Sequence, residues 1–194
     1  MIEFDFSPFP EIQTERLLLR RLTADDVEPI YRLRSNPETM KFVPRPLVKN
    51  HEEAMQHISL INDLIDKNEG INWAITLKGN PEFIGIIGFY RTQKENHRSE
   101  LGYMLLPEFS GRGITSEAVN GALEYGFNQM KLHSVEAVID PENYASERVL
   151  QKNGFVKEAH FLENEFYDGR FLDTVIYALL KRNYKTIHFP HERI

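Results

Sequence analysis

The chain has 194 residues, enough for one domain with a sizeable core, and its 41% hydrophobic and 27% charged content is typical of a globular protein. The net charge of −6 argues against nucleic-acid binding, which needs a clustered basic surface. No cysteine is present, which excludes disulfides, cysteine-ligated zinc and an acyl-cysteine intermediate in this chain, and which is compatible with a reducing cytoplasm. No apolar run approaches a membrane span and residues 1–5 are acidic, unlike a signal peptide, so we expect a cytoplasmic protein without membrane association.

The first elements predicted along the chain are an extended arm, a strand and a helix. Residues 1–11 contain two prolines and predict the arm, and residues 17–21 are apolar enough for a first strand. Thr23 and Asp26 have the spacing of a capping box, which predicts a helix over about residues 25–34.

A second helix and three strands are predicted next. Asn50 and Glu53 repeat the capping-box spacing, an apolar stripe at helical intervals follows, and Gly70 ends the helix. The three strands are close enough in sequence for an antiparallel meander, and they cover residues 73–77, 83–90 and 100–106.

The rest of the chain predicts a parallel crossover followed by antiparallel strands. A helix beginning near Thr115 leads to a strand at residues 135–139, and a strand–helix–strand connection of this kind makes a parallel pair. A short helix follows at residues 145–152. One further strand begins at residue 155, another covers residues 171–180, and residues 184–194 form a polar tail. We therefore predict one domain over residues 12–182, between the arm at 1–11 and a C-terminal tail at 183–194.

A glycine loop between the third meander strand and the next helix predicts an anion site. The loop is residues 110–113, Ser-Gly-Arg-Gly, and helical spacing starts directly after it. The first amides of a helix have no intrahelical partner and carry partial positive charge, and glycines let the backbone approach a ligand closely. The loop lacks the Lys-Ser/Thr ending of a Walker motif, so a magnesium–triphosphate site is not expected.

Three motifs resemble the GNAT superfamily of acetyl-CoA-dependent N-acetyltransferases, in the branch of the ribosomal-protein N-terminal acetyltransferases RimJ and RimL. Residues 110–115 align with the family loop Gln/Arg-x-x-Gly-x-Gly/Ala, departing from it at Ser110 and Thr115. Residues 143–155, Asn-x-x-Ser-x-x-Val-Leu-x-Lys-x-Gly-Phe, and residues 14–20, Thr-Glu-Arg-Leu-Leu-Leu-Arg, resemble the RimJ/RimL-type branch.

The resemblance implies a single α/β domain. It has a mixed, mostly antiparallel, splayed sheet of about seven strands flanked by helices. The splay is expected between the strands at 100–106 and 135–139, with the pantetheine arm of acetyl-CoA in the split. The expected cofactor-binding residues are Met104, Leu105, Leu106, Ser110, Gly111, Arg112, Gly113, Ile114, Thr115, Ser116 and Asn143.

Direct attack of an amine on a thioester requires a base, an oxyanion donor and a proton donor for the leaving thiolate. Glu100, at the start of the central strand, is the candidate base, although a solvated strand end is an equal interpretation. A backbone N–H near Met104–Leu105, freed by the splay, is the candidate oxyanion donor. Ser146 is the candidate proton donor because Leu150 occupies the position of the usual family tyrosine, although it could simply pack or cap its helix. Asn143 is most simply a helix cap.

The sequence leaves the acceptor open. A protein N-terminal amine, a small amine such as a polyamine or an aminoglycoside-like compound, and a non-catalytic acyl-CoA sensor all remain, and the presence of Glu100 and Ser146 favours an enzyme. Segments 42–47, 91–98 and 161–170 are the expected walls of the acceptor pocket. The seven histidines show no ligand spacing, so no metal is expected, and family resemblance favours a homodimer.

Overall fold

Strands rich in apolar residues form an eight-stranded sheet with helices on both faces in the computed structural model, which describes residues 2–186. The strands are β1 (Ile12–Gln13), β2 (Leu17–Arg20), β3 (Ile71–Leu77), β4 (Asn80–Gln93), β5 (Arg98–Leu105), β6 (Ser134–Ile139), β7 (Val156–Tyr167) and β8 (Arg170–Leu180). The helices are α1 (Val27–Ser35), α2 (Pro37–Met40), α3 (His51–Asp66), α4 (Ile114–Asn128) and α5 (Tyr144–Lys152).

The strand order is β1-β2-β3-β4-β5-β6-β8-β7, and every neighbouring pair is antiparallel except β5 and β6. The predicted mixed, mostly antiparallel sheet is therefore confirmed. It has eight strands within the described residues where about seven were expected. The two-residue β1, which pairs Ile12 with Leu19, is too short to show as an apolar run in the sequence.

Two helical layers cover the sheet. α4 lies on one face, where the Tyr125 ring packs edge-on against Trp73 with 5.4 Å between centroids. α3 covers the opposite face with α1, and its predicted apolar stripe is buried. The stripe consists of Ala54, Ile58, Ile61 and Ile65.

Both predicted capping pairs are present. The side chain of Asn50 accepts a hydrogen bond from the N–H of Glu53 at 2.9 Å, which starts α3. Asp26 accepts from the N–H of Thr23 at 2.8 Å and also binds Arg20 at 2.7 Å. Because residues 24–26 form a 3-10 turn, α1 starts at Val27 rather than near residue 25.

The N-terminal arm packs into the domain. Ile2 and Phe6 belong to the buried core, and the N–H of Phe6 donates to the side chain of Asn68 at 2.8 Å. The indole N–H of Trp73 donates to the carbonyl of Pro10 at 2.7 Å. Trp73 has no exposed surface, so it is a core residue.

Tyr184, at the start of the predicted tail, packs against Phe127 with 5.2 Å between ring centroids. Residues 187–194, with the tail histidines His188 and His191, lie outside the described residues. Between residues 2 and 186, no helix combines the length and apolar character needed to cross a bilayer.

Candidate active site

The sheet opens between β5 and β6. Their parallel pairing covers only residues 98–100 of β5 and residues 134–136 of β6. β5 continues to pair with β4 as far as Leu105, and β6 continues to pair with β8 as far as Ile139. Beyond Glu100 the two strands therefore diverge, which confirms the predicted splay.

The hydrogen-bond alternation of β5 decides which backbone groups face this split. In an antiparallel pair, alternate residues direct their N–H and C=O groups toward the partner strand. The N–H of Leu106 donates to the carbonyl of Ile84 at 2.9 Å, so the N–H of Met104 also points toward β4. The N–H groups of Tyr103 and Leu105 consequently face the open side. The amide of Leu106, an expected cofactor contact, is already engaged.

Side chains of successive β5 residues leave opposite faces of the sheet. On one face, Met104 lies beneath α1, with its sulfur 3.9 Å from Nη1 of Arg34, and Glu100 has the same parity. On the other face, the hydroxyl of Tyr103 donates to the carbonyl oxygen of Ser146 in α5 at 3.4 Å. Glu100 and Ser146 therefore lie on opposite faces of the sheet beside the split.

The glycine loop and the start of α4 have the geometry of an anion site. A 3-10 turn at Pro107–Phe109 leads into the loop, where Gly111 and Gly113 adopt left-handed φ values of 78° and 73°. The N–H of Glu117 makes the first helical bond, to the carbonyl of Gly113 at 3.1 Å. The N–H groups of residues 114–116 thus have no partner within the helix and are available to an anion.

The side chains of the loop differ in their access to a ligand. Ser110 and Arg112 are exposed, and the guanidinium of Arg112 lies 5.6 Å from the ring centroid of Phe109. This contact holds the Arg112 charge beside the loop. The other predicted contacts, in the first helical turn, are less accessible: Thr115 is half-buried, and Ile114 and Ser116 are buried.

A buried ion pair supports this loop, and the sequence analysis missed it. Nε of Arg16 lies 2.6 Å from Glu117, whose carboxylate also accepts from the N–H of Arg16 at 2.7 Å and from the hydroxyl of Thr14 at 2.6 Å. Nη1 of Arg16 donates to the carbonyl of Arg112 at 3.1 Å. The network ties the loop and α4 to the start of β2. Its only signal in the sequence is the motif at residues 14–20.

Glu100 is nearly enclosed, with 9% of its surface exposed. Burial raises its pKa, Arg91 opposes this from 2.9 Å, and the charge of Glu136 raises the pKa further. Glu136 is itself paired with Arg98 at 2.6 Å. A carboxylate with a raised pKa is a better proton acceptor than an ordinary surface glutamate.

In the α5 region, Asn143 has the simple role of a helix cap, and Tyr103 is an unexpected candidate for the proton donor. The side chain of Asn143 accepts from the N–H of Ser146 at 3.1 Å, so it caps the helix. Leu150, at the usual tyrosine position, is fully buried. The phenol of Tyr103 reaches Ser146 instead, and burial raises its pKa. The sequence analysis gave Tyr103 no part in the chemistry.

A cavity of about 370 Å³ lies between the segment after α1, the end of β6 and the tip of the β7–β8 hairpin. Two of the predicted acceptor segments, 42–47 and 161–170, contribute to its lining, whereas 91–98 does not. Glu100 and Ser146 do not line it either. Arg45 lines the cavity, and its charge lowers the pKa of Glu100, although burial, Arg91 and Glu136 have larger effects on that pKa.

Several known proteins resemble this chain in sequence and in fold. The family described as acetyltransferase (GNAT) domain matches residues 16–156. The uncharacterized N-acetyltransferase YoaA of Bacillus subtilis is 34% identical over 173 residues, covering 89% of this chain and 98% of that protein.

Solved structures agree. The spermidine N-acetyltransferase of Vibrio cholerae, in complex with CoA and spermine, has a TM-score of 0.77 at 25% identity, covering 87% of this chain and 97% of that one. RimJ of Mycobacterium smegmatis, in complex with CoA-disulfide, shares the fold with a TM-score of 0.80 at 22% identity, covering 88% of this chain and 87% of that one. The family match, the YoaA relative and the splayed sheet together show that the chain belongs to the GNAT acetyltransferases of the RimJ/RimL type and is an N-acetyltransferase.

Proposed function

We propose that the protein transfers acetyl directly from acetyl-CoA to a primary amine that reaches the β5–β6 split from the side of α1. The observation that carries this proposal is the divergence of β5 and β6 beyond Glu100, which exposes backbone N–H groups beside a carboxylate. A thioester is already activated, so the transfer needs neither a metal nor a covalent enzyme intermediate.

Acetyl-CoA is held at two places in this proposal. Its phosphates bind the amides of residues 111–116 with help from Arg112, and its pantetheine arm follows the open edge of β5 near Leu105. The left-handed glycines and the free amides of the first turn of α4 support this placement. Gly113→Val should abolish CoA binding in calorimetry without unfolding the protein. Unchanged affinity would contradict the assignment.

Glu100 takes a proton from the ammonium form of the acceptor, directly or through a water. The freed amine then attacks the thioester carbonyl carbon. The resulting oxyanion accepts hydrogen bonds from the N–H of Leu105 or Tyr103, because these groups face the split, whereas that of Met104 does not. When the oxyanion collapses, the carbon–sulfur bond breaks and the thiolate leaves. The positively charged nitrogen of the adduct gives up its second proton in this step, which offsets the proton delivered to the sulfur.

Two residues with hydroxyl groups, on the far side of the split, are the candidates to protonate the thiolate. Ser146 is the residue expected from the sequence, and Tyr103 is the one that its hydrogen bond to the Ser146 carbonyl adds. Positioned proton transfer typically contributes about a hundredfold to ten-thousandfold to the rate, and because a hydroxyl is a weak acid we expect a smaller effect here, of roughly tenfold to a hundredfold. Ser146→Ala and Tyr103→Phe, each assayed for turnover and CoA affinity, separate the two. The true donor loses turnover but keeps affinity.

The decisive experiment for the base is Glu100→Gln, followed as turnover against pH. The loss should be largest near neutral pH and smaller at high pH, where free amine is plentiful. Full turnover of Glu100→Gln at every pH would show that another group acts as the base. CoA affinity measured on the same variant separates lost chemistry from lost binding.

The acceptor candidates are a protein N-terminus and a small amine. A cavity of about 370 Å³, bounded by residues 37–47 and the hairpin, is of a size that suits a small amine or the first residue of a peptide. A relative from Vibrio cholerae binds spermine, which supports the small amine. A thiol-release assay over small amines and N-terminal peptides tests both classes. If neither small amines nor peptides caused thiol release, the proposed acetyl transfer itself would be contradicted.

We also propose a homodimer formed through the β7–β8 hairpin. β7 is the last strand of the sheet, and large apolar side chains are exposed on the hairpin. They are Val156, Phe161, Leu162, Phe166 and Phe171. Light scattering at tens of micromolar should show a dimer that Leu162→Asp disrupts. Leu60→Asp, at an exposed leucine on α3, is the control. A wild-type monomer would overturn the proposal.

A further inference from the structure

Arg34 of α1 differs from four other arginines in or beside the sheet. Those four lie within 2.9 Å of a carboxylate oxygen: Arg16, Arg20, Arg91 and Arg98. Within residues 2–186, Arg34 makes no ion pair. Its Nε is buried without a hydrogen-bond partner, and its Nη1 contacts the sulfur of Met104 at 3.9 Å.

The charged groups that face Arg34 are mainly cations. Burial lowers the pKa of Arg34; Tyr90 opposes this, and the charge of Arg45 adds to the lowering. On α3, burial and the charge of Arg34 together lower the pKa of His57 to about 4, so its imidazole is neutral at pH 7. A half-buried guanidinium without a carboxylate partner costs stability. An anionic ligand would supply the missing partner.

The position of Arg34 relates this charge to the proposed chemistry. Met104, which it contacts, has the same parity on β5 as Glu100, so both face the proposed acceptor side. Tyr90 is the β4 residue opposite Glu100, and a Cβ built on Gly102 would lie 1.3 Å from its hydroxyl oxygen. The hydroxyl therefore lies over β5 between Glu100 and Met104. These two residues are roughly 13 Å apart along the strand, a span that a small molecule and the two side chains can bridge.

We infer that the acceptor is a small primary amine that carries an anionic group, a carboxylate or a phosphate, and that Arg34 binds this anion while Tyr90 donates a hydrogen bond to it. The inference rests on the proposed amine acetylation. A guanidinium binds planar or tetrahedral oxyanions through paired hydrogen bonds. A polyamine would instead place a second ammonium beside Arg34 and Arg45, where like charges repel.

The test compares amines that differ only in the distal group. The probes are 4-aminobutanoate, its neutral amide, 1,4-diaminobutane and 3-aminopropyl phosphate. Wild-type kcat/KM should be at least tenfold higher for one or both anionic probes than for the amide, and the ratio between them identifies the anion. Arg34→Met should remove this preference through KM, and Arg34→Lys should restore part of it. Arg32→Met, on the exposed side of the same helix, should leave the preference unchanged.

Equal turnover of the neutral and anionic probes, or a preference that survives Arg34→Met, would overturn the inference. Calorimetric binding of the N-acetylated 4-aminobutanoate and aminopropyl phosphate products to the CoA-bound protein tests the subsite without turnover. If the products bind in a way that depends on Arg34 but no probe or peptide is acetylated, the proposed acetyl transfer is refuted and the anion subsite is supported. Acetylation without such binding would refute the subsite alone. Arg34→Met should unfold at the same or a higher urea concentration, because it removes an unpaired charge. A lower midpoint would indicate a structural role and overturn the inference.

Discussion

The buried pair between Glu117 and Arg16 makes the support of the glycine loop open to measurement. Glu117 is 1% exposed, and its carboxylate accepts three hydrogen bonds of 2.6–2.7 Å, two from Arg16 and one from Thr14. Glu117→Gln keeps the size of the side chain but removes its charge, and it directs an NH₂ group at a donor. Breaking one side of a buried ion pair costs about 3–5 kcal/mol.

We expect Glu117→Gln to lower the free energy of unfolding by about 3 kcal/mol, the lower end of that range, because the Arg16 side chain retains 13% exposure to water. Affinity for CoA should also fall, because Arg16 no longer holds the carbonyl of Arg112 in place. Urea unfolding followed by circular dichroism gives the first quantity, and calorimetric titration with CoA gives the second.

The matched control is Glu108→Gln. Glu108 precedes the same loop and pairs with Arg32 at the same distance of 2.6 Å, but their side chains are 44% and 50% exposed. Exposed pairs contribute about 0–1 kcal/mol, so the control should change stability little. Equal losses for Glu117→Gln and Glu108→Gln would refute the argument that burial makes the first pair essential.

Three further predictions concern the loop, a buried histidine and the base. Gly113→Ala and Gly111→Ala should each cost about 1–2 kcal/mol, because both glycines have left-handed φ values; the nearest atom to a Cβ at Gly113 is a guanidinium nitrogen at 3.4 Å, an ordinary contact, so the two losses should be similar, and an unchanged urea midpoint for either variant would contradict this. The pKa of His57 is lowered from 6.5 to about 4, so its contribution to stability is complete above pH 6.5 and is lost as the pH falls through about 4. His57→Gln should therefore reduce the change of the urea midpoint with pH between those two values, by an amount equivalent to roughly 3 kcal/mol at most. An unchanged pH dependence would refute the role of this residue. Arg91→Met should raise the pKa of Glu100 and move the acid limb of kcat/KM to higher pH, and the shift should be small because the Arg91 side chain is 62% exposed; a shift to lower pH would be inconsistent with the pairing.

The sequence alone predicted the parts of the fold that depend on neighbours along the chain. Asn50 and Glu53 marked the start of α3, and the apolar stripe behind them marked its buried face. Glycines at 111 and 113 marked a turn that needs left-handed backbone, directly before a helix. Each of these signals lies within a few residues, because helix caps, helical periodicity and tight turns are local properties of the backbone.

The site required information that no local pattern contains. Arg16 meets Glu117 across 101 residues, Arg34 meets Met104 across 70, and Tyr103 meets Ser146 across 43. The sequence showed Glu100 and Ser146 as candidates, whereas the tertiary structure decided that they lie on opposite sides of a split strand. It also decided that no carboxylate among residues 2–186 pairs with Arg34. Such pairings follow from the register of β4, β5 and β6 and from the helix packed over each face, and these depend on contacts between segments that are distant in the chain.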